Sequence, residues 1–276
     1  MTLPLYIPWD EKLVDYNFGN NHPLAPIRVE LAMKLALDLN IISTNELVGP
    51  VISATREQLM RAHTAEYLDA VASVGESSGD SALEYGLGTS DNPVFIGMHE
   101  ASARVAGATL MAANAVWNGS AARAVNLAGG LHHAQRGGAS GFCVYNDIAV
   151  AIYDLLAQGA KRIAYIDIDA HHGDGVANIF FDDPRVLTIS IHEHPKTLFP
   201  GTGLSSETGG PNAPGSCVNI ALPAGTGDQG WLRAFAAVVP PIIDVFAPEI
   251  IVSQNGADSH INDPLTHLAV SVDGQR

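Results

Sequence analysis

The second half of the chain alternates short apolar runs with amphipathic stretches. The apolar runs predict strands at 123–127, 162–169, 185–192 and 249–254. Between and around them, a helical period predicts helices at 148–158, 176–181 and 229–246. Strands that alternate with helices form right-handed βαβ units, which build a parallel sheet covered by helices on both faces. The pattern therefore predicts an α/β protein.

The first half is predicted to be mainly helical. Residues 26–40 form an amphipathic pattern in which Leu31, Leu35 and Leu39 recur every fourth position. Thr55 and Gln58 make a capping box for a helix that runs to about Val74. Residues 77–93 are rich in Gly and Ser and predict a loop, and residues 99–117 predict an Ala-rich helix. No linker divides the chain, so we expect a single domain over 1–276.

The charge balance excludes some classes of partner. The 276 residues carry 14 basic and 29 acidic side chains, a net charge of −15. Direct nucleic-acid binding and docking on an anionic membrane both need clustered Lys and Arg, so neither is expected. Cationic or neutral substrates remain compatible with this surface. The sequence carries no signal for a particular oligomeric state.

The cysteine content and the N-terminal residues indicate the compartment. Cys143 and Cys217 lie far apart and form no CxxC pair, which argues against a disulfide framework. The first residues have no basic region followed by an apolar run, and no apolar stretch reaches the roughly 18–20 residues that cross a bilayer. We therefore expect a soluble protein of the reducing cytoplasm.

Polar residues cluster where the predicted strands end. Eight of the 11 histidines lie in these segments or their immediate extensions, at positions 132, 133, 171, 172, 192, 194, 260 and 267. Ligands of open parallel sheets bind beyond the carboxyl ends of the strands. One active site at one sheet edge explains this distribution better than isolated helix caps, although a single Asp such as Asp174 can act as a cap.

The segment after the second predicted strand indicates a metal. Asp167, Asp169 and His171 alternate, so an extended backbone places them on one face. Asp258 follows the fourth predicted strand and can complete a set of two carboxylates and one imidazole. Three such ligands leave a tetrahedral ion one open position, as in catalytic zinc sites. Because no thiolate selects zinc, Fe²⁺ or Mn²⁺ would also be accepted.

The adjacent imidazoles of His132 and His133 follow a Gly-Gly turn and suit general acid–base catalysis. Asp167 and Asp174 are spare carboxylates that can orient them. Other chemistries lack their motifs: the chain has no GxSxG elbow, no Walker A loop and no GxGxxG after the first predicted strand. The two cysteines are better explained as buried structural residues than as nucleophiles.

Five motifs resemble the zinc-dependent histone deacetylase superfamily in order and spacing. They lie at 129–134 (GGLHHA), 141–147 (GFCVYND), 167–175 (DIDAHHGDG), 199–203 (FPGTG) and 256–258 (GAD). Residues 256–268 are most similar to the bacterial acetoin-utilisation deacetylases. The resemblance implies a three-layer α/β/α fold of the arginase/deacetylase type, with a mainly parallel sheet and the active site at the carboxyl ends of its strands.

The resemblance also implies roles for individual residues. Asp169, His171 and Asp258 match zinc ligands, and His133 matches the main general base and acid. His132 matches the residue that helps hold the attacking water, with Asp167 behind His132 and Asp174 behind His133. A structural K⁺ would be held by Asp167, Ser190 and the backbone oxygens of Asp169, His171 and Ile191.

The substrate residues implied by the resemblance surround an acyl-lysine tunnel. Phe142 and Phe199 match its aromatic walls, Gly141 a tunnel carbonyl, Leu265 an apolar tunnel residue, Asp91 a rim carboxylate and Arg28 an arginine of an internal acetate channel. The expected reaction is removal of acetyl groups from acetyl-lysine in a peptide or protein, or from a related small amine. Two alternatives remain: a binuclear-manganese ureohydrolase, which would need carboxylates where this chain has Gly173 and His260, and a low-activity acyl-lysine-binding protein.

One expected residue is missing from the sequence. Members of this superfamily supply a transition-state donor, a tyrosine in a Gly-rich loop beyond the last zinc ligand, whereas no tyrosine follows Tyr165 in this chain. We therefore expect a deacetylase domain without its C-terminal portion. Loss of one oxyanion donor costs about 10²–10³ in turnover, so we expect zinc binding with weak hydrolysis and lower stability than in a longer form.

Overall fold

The computed structural model describes residues 5–19, 22–76 and 82–276. The chain separates into two compact units, residues 1–158 and 159–276. In each unit a parallel sheet is flanked by helices, which confirms the predicted α/β class. Residues 77–81 of the predicted loop lie outside the described residues, and the rest of that loop contains only the short 3₁₀ turn Leu83–Tyr85.

The first unit contains a three-stranded parallel sheet. Its strands are β1 (Leu5–Pro8), β2 (Leu47–Val48) and β3 (Arg123–Ala124), in the order β2-β1-β3. Ile7 stands opposite Leu47, and Leu5 stands opposite Arg123. The sequence pattern predicted β3 with three additional residues and missed β1 and β2, because strands of two to four residues are too short to show alternation.

The described part of this unit contains five α-helices: α1 (Ile27–Asp38), α2 (Arg56–Ala62), α3 (Ala65–Val74), α4 (Met98–Trp117) and α5 (Asp147–Ala157). The prediction of one helix from Thr55 to Val74 was wrong. The backbone leaves the helical conformation at His63, and the Thr64 side chain accepts the Tyr67 N–H to cap α3. The apolar period continues across this break, which is why it was missed.

The apolar positions of α1 do not face the core of the unit. Leu31, Leu35 and Leu39 are 58%, 59% and 60% exposed, whereas Met33 is the buried residue of this helix. The period of the sequence correctly predicts a helix here. The leucine stripe is nevertheless on the outside in this structure.

The second unit contains a four-stranded parallel sheet. Its strands are β4 (Ile163–Asp167), β5 (Val186–Glu193), β6 (Cys217–Leu222) and β7 (Ile250–Gln254), in the order β6-β5-β4-β7. The sequence pattern missed β6, which follows a Gly- and Ser-rich loop. Asp167 stands opposite both Ser190 and Gln254, so the carboxyl ends of β4 and β7 lie level, and β5 continues beyond them to Glu193.

Three helices accompany this sheet: α6 (Asp174–Phe180), α7 (Asp228–Phe246) and the short α8 (Val272–Gln275). Leu187, Ile189 and Ala164 of the sheet pack against Val239 of α7. A second core group joins Ile191, Leu222 and Trp231 to residues beyond β7, among them Leu268 and Val270. Within the described ranges, no helix has both the length and the apolarity to span a membrane.

Candidate active site

Three side chains converge beyond the carboxyl ends of β4 and β7. Asp169 and His171 follow β4, and Asp258 lies in the 3₁₀ turn Ala257–Ser259 after β7. His171 Nδ1 lies 3.0 Å from Asp169 Oδ1 and 2.7 Å from Asp258 Oδ2. One ligand atom from each of the three residues lies within 4.8 Å of the others. Because β4 and β7 are parallel neighbours, residues distant in sequence meet at one point.

Neighbouring groups hold the two carboxylates in place. Gln254, the last residue of β7, donates its Nε2–H to Asp169 Oδ2 at 3.0 Å. The backbone N–H of Ala170 donates to Asp258 Oδ1 at 2.8 Å. Gly256 passes so close to Asp169 that a Cβ at this position would overlap the carboxylate. The sequence analysis missed the orienting role of Gln254, because the residue simply ends a predicted apolar strand.

The two carboxylates create a demand for positive charge. Burial opposes a charge on the His171 ring, but hydrogen bonds to Asp169 and Asp258 outweigh it and raise the pKa of His171 to about 10. Burial and the neighbouring charge of Asp169 raise the pKa of Asp258 to about 6. A divalent cation can meet this demand in place of the proton on Nδ1. Two carboxylate oxygens and one imidazole nitrogen therefore fit a catalytic metal ion.

Asp167 and Asp174 flank Asp169 and His171 in the sequence, and both are buried. Asp167 Oδ2 accepts the Tyr165 hydroxyl at 2.6 Å, and Asp167 Oδ1 accepts the backbone N–H of Asp169 at 3.1 Å. Asp167 thus fixes the backbone of Asp169, the first candidate metal ligand. Asp174 is the first residue of α6. The pairing of these carboxylates with His132 and His133 stays a prediction.

The predicted potassium residues Ser190 and Ile191 lie in β5. His192 donates its Nε2–H to the backbone oxygen of Gly203 at 2.9 Å, and burial lowers the pKa of its ring. The neutral ring therefore accepts the Ser190 hydroxyl at Nδ1, at 2.8 Å. This arrangement turns the lone pairs of the Ser190 oxygen away from His192. The potassium site itself stays a prediction.

In the first unit, His132 and His133 are both buried and lie side by side. Their Nε2 atoms are 3.1 Å apart and their ring centroids 4.1 Å apart. Two imidazole nitrogens this close share one proton readily but repel each other when both rings are charged. The pair can therefore act as one acid–base unit.

The loop that carries these histidines is fixed by two consecutive residues of the 141–147 motif. Asp147 accepts the backbone N–H groups of Leu131 at 2.8 Å and Gly130 at 3.1 Å. Asn146 donates to the backbone oxygens of Ala134 at 2.9 Å and His132 at 3.4 Å. The sequence analysis recognised this motif but assigned no role to these side chains. Their signal was a polar pair inside an otherwise apolar segment.

His63 ties the same loop to the 141–147 segment from the opposite side. Its Nδ1–H donates to the backbone oxygen of Gln135 at 3.0 Å, and its Nε2 accepts the Asn146 N–H at 2.9 Å. These partners require a neutral ring, and burial lowers the pKa of His63 to about 4. His63, where the backbone leaves the helical conformation between α2 and α3, therefore links the loop of the paired histidines to the 141–147 segment.

The candidate metal ligands and the paired histidines lie in a chain that matches a known protein family. A family model described as the histone deacetylase domain matches residues 22–276. The chain belongs to the histone deacetylase family. Members of this family are metal-dependent hydrolytic deacetylases, in agreement with the resemblance of the five motifs.

Relatives within the family include the acetoin utilization proteins AcuC. The protein from Bacillus subtilis (strain 168) is 46% identical over 259 residues, which cover 93% of this chain and 67% of the relative. The protein from Staphylococcus aureus (strain MRSA252) is 43% identical over 262 residues, which cover 94% of this chain and 67% of the relative.

Solved structures of the family share the fold. A histone deacetylase homologue from Aquifex aeolicus is 34% identical, with a TM-score of 0.87 over 96% of this chain and 72% of its own. A homologue in complex with SAHA is 34% identical, with a TM-score of 0.88 over 100% of this chain and 74% of its own.

Among the predicted substrate residues, Phe142 has an unusual backbone conformation. Its φ is +69°, in the left-handed region that favours glycine. The Tyr16 hydroxyl donates to the Phe142 backbone oxygen at 2.8 Å and accepts the Val144 N–H at 3.0 Å. Gly141, immediately before it, accepts the Cys143 thiol at its backbone oxygen. Tyr16, which the sequence analysis did not single out, therefore holds this bend in place.

His22 contacts two predicted substrate residues, Phe142 and Asp91. Its ring packs edge-on against Phe142 with centroids 4.6 Å apart, and its Nε2–H donates to the backbone oxygen of Asp91 at 3.1 Å. The Asp91 side chain is exposed. His22 lies outside the five motifs, so this contact adds a positioning residue that the motifs did not reveal.

The remaining predicted substrate residues lie in exposed positions. Phe199 has its ring centroid 6.4 Å from that of His171, which places it beside the candidate metal ligands. Leu265 lies in the segment after Asp258, and its N–H donates to Asp263 Oδ1. Arg28 lies on the exposed surface of α1, as an ordinary helix-surface charge would. Its assignment to an internal channel stays a prediction without a contact to support it.

Proposed function

We propose that this chain is a zinc-dependent amide hydrolase that removes acetyl groups from acetyl-lysine or a related acetylated amine and releases acetate. The observation that carries the proposal is the convergence of Asp169, His171 and Asp258 in a chain of the histone deacetylase family. Among the described residues this is the one group of three metal-ligating side chains, which favours a mononuclear site over the binuclear ureohydrolase alternative.

In this proposal the protein's own side chains move the protons. When bound, the metal ion supplies polarisation of the amide carbonyl and acidification of water. His133 accepts a proton from the attacking water and then donates it to the departing amine. His132 holds the water, and Asp167 and Asp174 orient the two imidazoles. The loop contacts from Asn146, Asp147 and His63 keep the pair in position.

The choice of ion rests on the donor set. Oxygen and nitrogen donors without thiolate accept Zn²⁺ and also Fe²⁺, so we propose Fe²⁺ as the alternative ion at the same site in the cell. We propose Ser190 and the backbone of Ile191, with Asp167, for a structural K⁺. The lone pairs that His192 leaves on the Ser190 oxygen support this assignment.

We propose that the acyl-lysine chain passes between Phe142 and Phe199, with Gly141 and Leu265 along its path and Asp91 at the rim. The position of the Phe199 ring beside His171 supports this assignment, and so does the contact through which His22 links Phe142 to Asp91. The net charge of −15 is compatible with a cationic peptide or polyamine. We also propose one catalytic domain in the cytoplasm, supported by a family match across both units and by two buried free cysteines.

The test combines metal analysis with product release. Purified chain reconstituted with Zn²⁺ should hold one ion per molecule and release acetate from an acetyl-lysine peptide or an acetylated polyamine. Two manganese ions with urea as product would support the ureohydrolase instead. Saturable binding of the acetyl-lysine peptide without acetate release, at one zinc per chain, would identify an acyl-lysine-binding protein and overturn the proposed hydrolysis.

A further inference from the structure

Glu193 is a charged side chain in a place where charge is costly. It is the last residue of β5, and its carboxylate is fully buried, at 0% exposure. Burial of a carboxylate is unfavourable unless its oxygens are hydrogen-bonded. Both oxygens are used by one residue: Oε2 accepts the His267 backbone N–H at 2.7 Å, and Oε1 lies 3.0 Å from His267 Nδ1. The imidazole of His267 is itself 65% exposed.

These contacts belong to a closed ring around the candidate metal ligands. The Glu193 N–H donates to the Ala170 backbone oxygen at 2.9 Å, and the Ala170 N–H donates to Asp258 Oδ1 at 2.8 Å. The Thr266 hydroxyl donates to the Asp258 backbone oxygen at 2.6 Å. The backbone N–H of His267, the next residue, donates to Glu193 and closes this hydrogen-bonded ring of residues.

The ring fixes the part of the chain that carries Leu265. On one side of this residue Asp263 accepts the Leu265 N–H, and on the other Thr266 and His267 are bound to Asp258 and Glu193. Leu268 is buried in the core group that contains Ala170 and Trp231. Leu265 therefore projects from a segment whose position depends directly on the Glu193 carboxylate.

We propose that Glu193 is a positioning residue that sets acyl-chain selectivity by clamping His267, and thereby Leu265, beside the path of the acyl-lysine chain. The proposal rests on the proposed function, in which Leu265 lies along this path. A loosened segment gives the path room for a longer acyl chain and weakens its contact with the acetyl-lysine side chain. The metal ligands keep their own contacts from Gln254 and Ala170.

The variants separate the clamp from simple loss of folding. Glu193→Ala removes both hydrogen bonds. Glu193→Gln can rebuild both, because its amide oxygen accepts the His267 N–H and its NH₂ donates to the Nδ1 of a neutral His267 ring. His267→Ala removes the exposed ring and its contact with Glu193 Oε1, but it keeps the backbone N–H on Oε2, so it weakens the clamp less than Glu193→Ala does. His194→Ala is the matched control: it also removes a histidine ring next to the end of β5, and that ring accepts the Lys196 N–H of its own turn instead of contacting Glu193.

The measurements are kcat and KM on acetyl- and butyryl-lysine peptides, zinc content, and amide hydrogen exchange of residues 265–269. In Glu193→Ala we expect the KM for the acetyl peptide to rise about tenfold, the size expected for one unsatisfied buried group, with kcat and zinc content little changed. The ratio of kcat/KM for butyryl over acetyl should rise, and exchange at 265–269 should speed up. His267→Ala should show the same changes more weakly, and Glu193→Gln and His194→Ala should resemble the wild type.

Two results would overturn the proposal. One is an unchanged butyryl-to-acetyl ratio in both Glu193→Ala and His267→Ala, and the other is unchanged hydrogen exchange at 265–269 in Glu193→Ala. A parallel loss of zinc and kcat would assign Glu193 to the metal ligands instead of to Leu265. Absence of turnover in the wild type would count against the proposed hydrolysis, and the exchange experiment would still decide whether the clamp exists.

Discussion

His63 is buried and His171 is partly buried, one in each compact unit, and burial on its own would lower the pKa of both rings. The pKa of His63 is lowered to about 4, whereas that of His171 is raised to about 10. His63 lies between a backbone oxygen and a backbone N–H, so its ring must donate on one side and accept on the other. His171 Nδ1 faces two carboxylates. The partners, and not the depth of burial, therefore decide the charge.

This difference separates a structural histidine from a metal ligand. A ring that bridges two backbone groups cannot take up a proton or a metal ion without losing a hydrogen bond, because its second nitrogen already accepts a backbone N–H. A ring that faces two carboxylates requires positive charge, as a proton or as a metal ion. The same residue type thus stabilises the loop of the paired histidines in one unit and, in the function that we propose, binds the metal ion in the other.

The strongest way to break this comparison is Asp258→Ala. Loss of one of three ligands removes part of the negative charge that draws a cation to His171, and metal affinity should fall severely. We expect purified protein with much less than one zinc per chain and no measurable hydrolysis. Asp273→Ala, an exposed carboxylate nearby in sequence, is the control and should keep its zinc. Full zinc occupancy in Asp258→Ala would mean that the ligand set is wrong.

His133→Ala tests the acid–base pair while leaving the metal ligands intact. Loss of a general acid–base group lowers the rate by about 10²–10⁴, so kcat should fall in that range with zinc content unchanged. His132→Ala should be milder, because His132 holds the water instead of transferring its proton. If His132→Ala is inactive and His133→Ala retains activity, the two roles must be exchanged.

His63→Gln sharpens the comparison through pH. The pKa of about 4 in the folded protein lies below the unfolded value of about 6.5, so the unfolded chain binds more protons between these values. The free energy of unfolding contributed by His63 is therefore complete above about pH 6.5 and is lost as the pH falls towards about 4, by about 3 kcal/mol.

The glutamine amide can donate to the Gln135 oxygen and accept the Asn146 N–H without titrating. We expect His63→Gln to match the wild type near pH 7 and to lose less stability on acidification. Urea unfolding at a series of pH values between 7.5 and 4.5 measures the effect. If the free energy of unfolding falls equally steeply with decreasing pH in the two proteins, His63 is not the titrating group.

Gln254→Met should have the smallest effect. It keeps the volume of the side chain but removes the hydrogen bond that orients Asp169, and loss of such a partner costs about 10–100-fold in metal affinity. Competition with a zinc-binding dye measures this change. Asn255→Met, at the next residue, is the control, because the Asn255 side chain donates locally to Ser253 and not to Asp169.

The sequence predicted the elements that have a strong period or a sharp boundary. The strands β4, β5 and β7, the long helices α4 and α7, and the polar residues at the strand ends were all visible in this way. The helix break at His63 was not, because the break is stabilised by Gln135 and Asn146, which lie far along the chain. A local period carries no information about such partners.

The same limit applies to the site. Asp169, His171 and Asp258 were predicted because metal ligands must be of a few residue types at the ends of strands. Glu193 and Gln254 were not, because a polar residue at the end of a strand acquires its role only from the side chain or backbone that faces it. The charge state of each buried histidine depends on such contacts in the same way.

The close approach of Gly256 to Asp169 also determines how this position responds to mutation. Any side chain, even a methyl group, would push against the carboxylate of Asp169, a proposed metal ligand. In a saturation library selected for activity, Gly256 should tolerate no replacement, although it contributes no functional group. A profile of tolerated substitutions would therefore rank this glycine with the metal ligands themselves, for a reason of space alone.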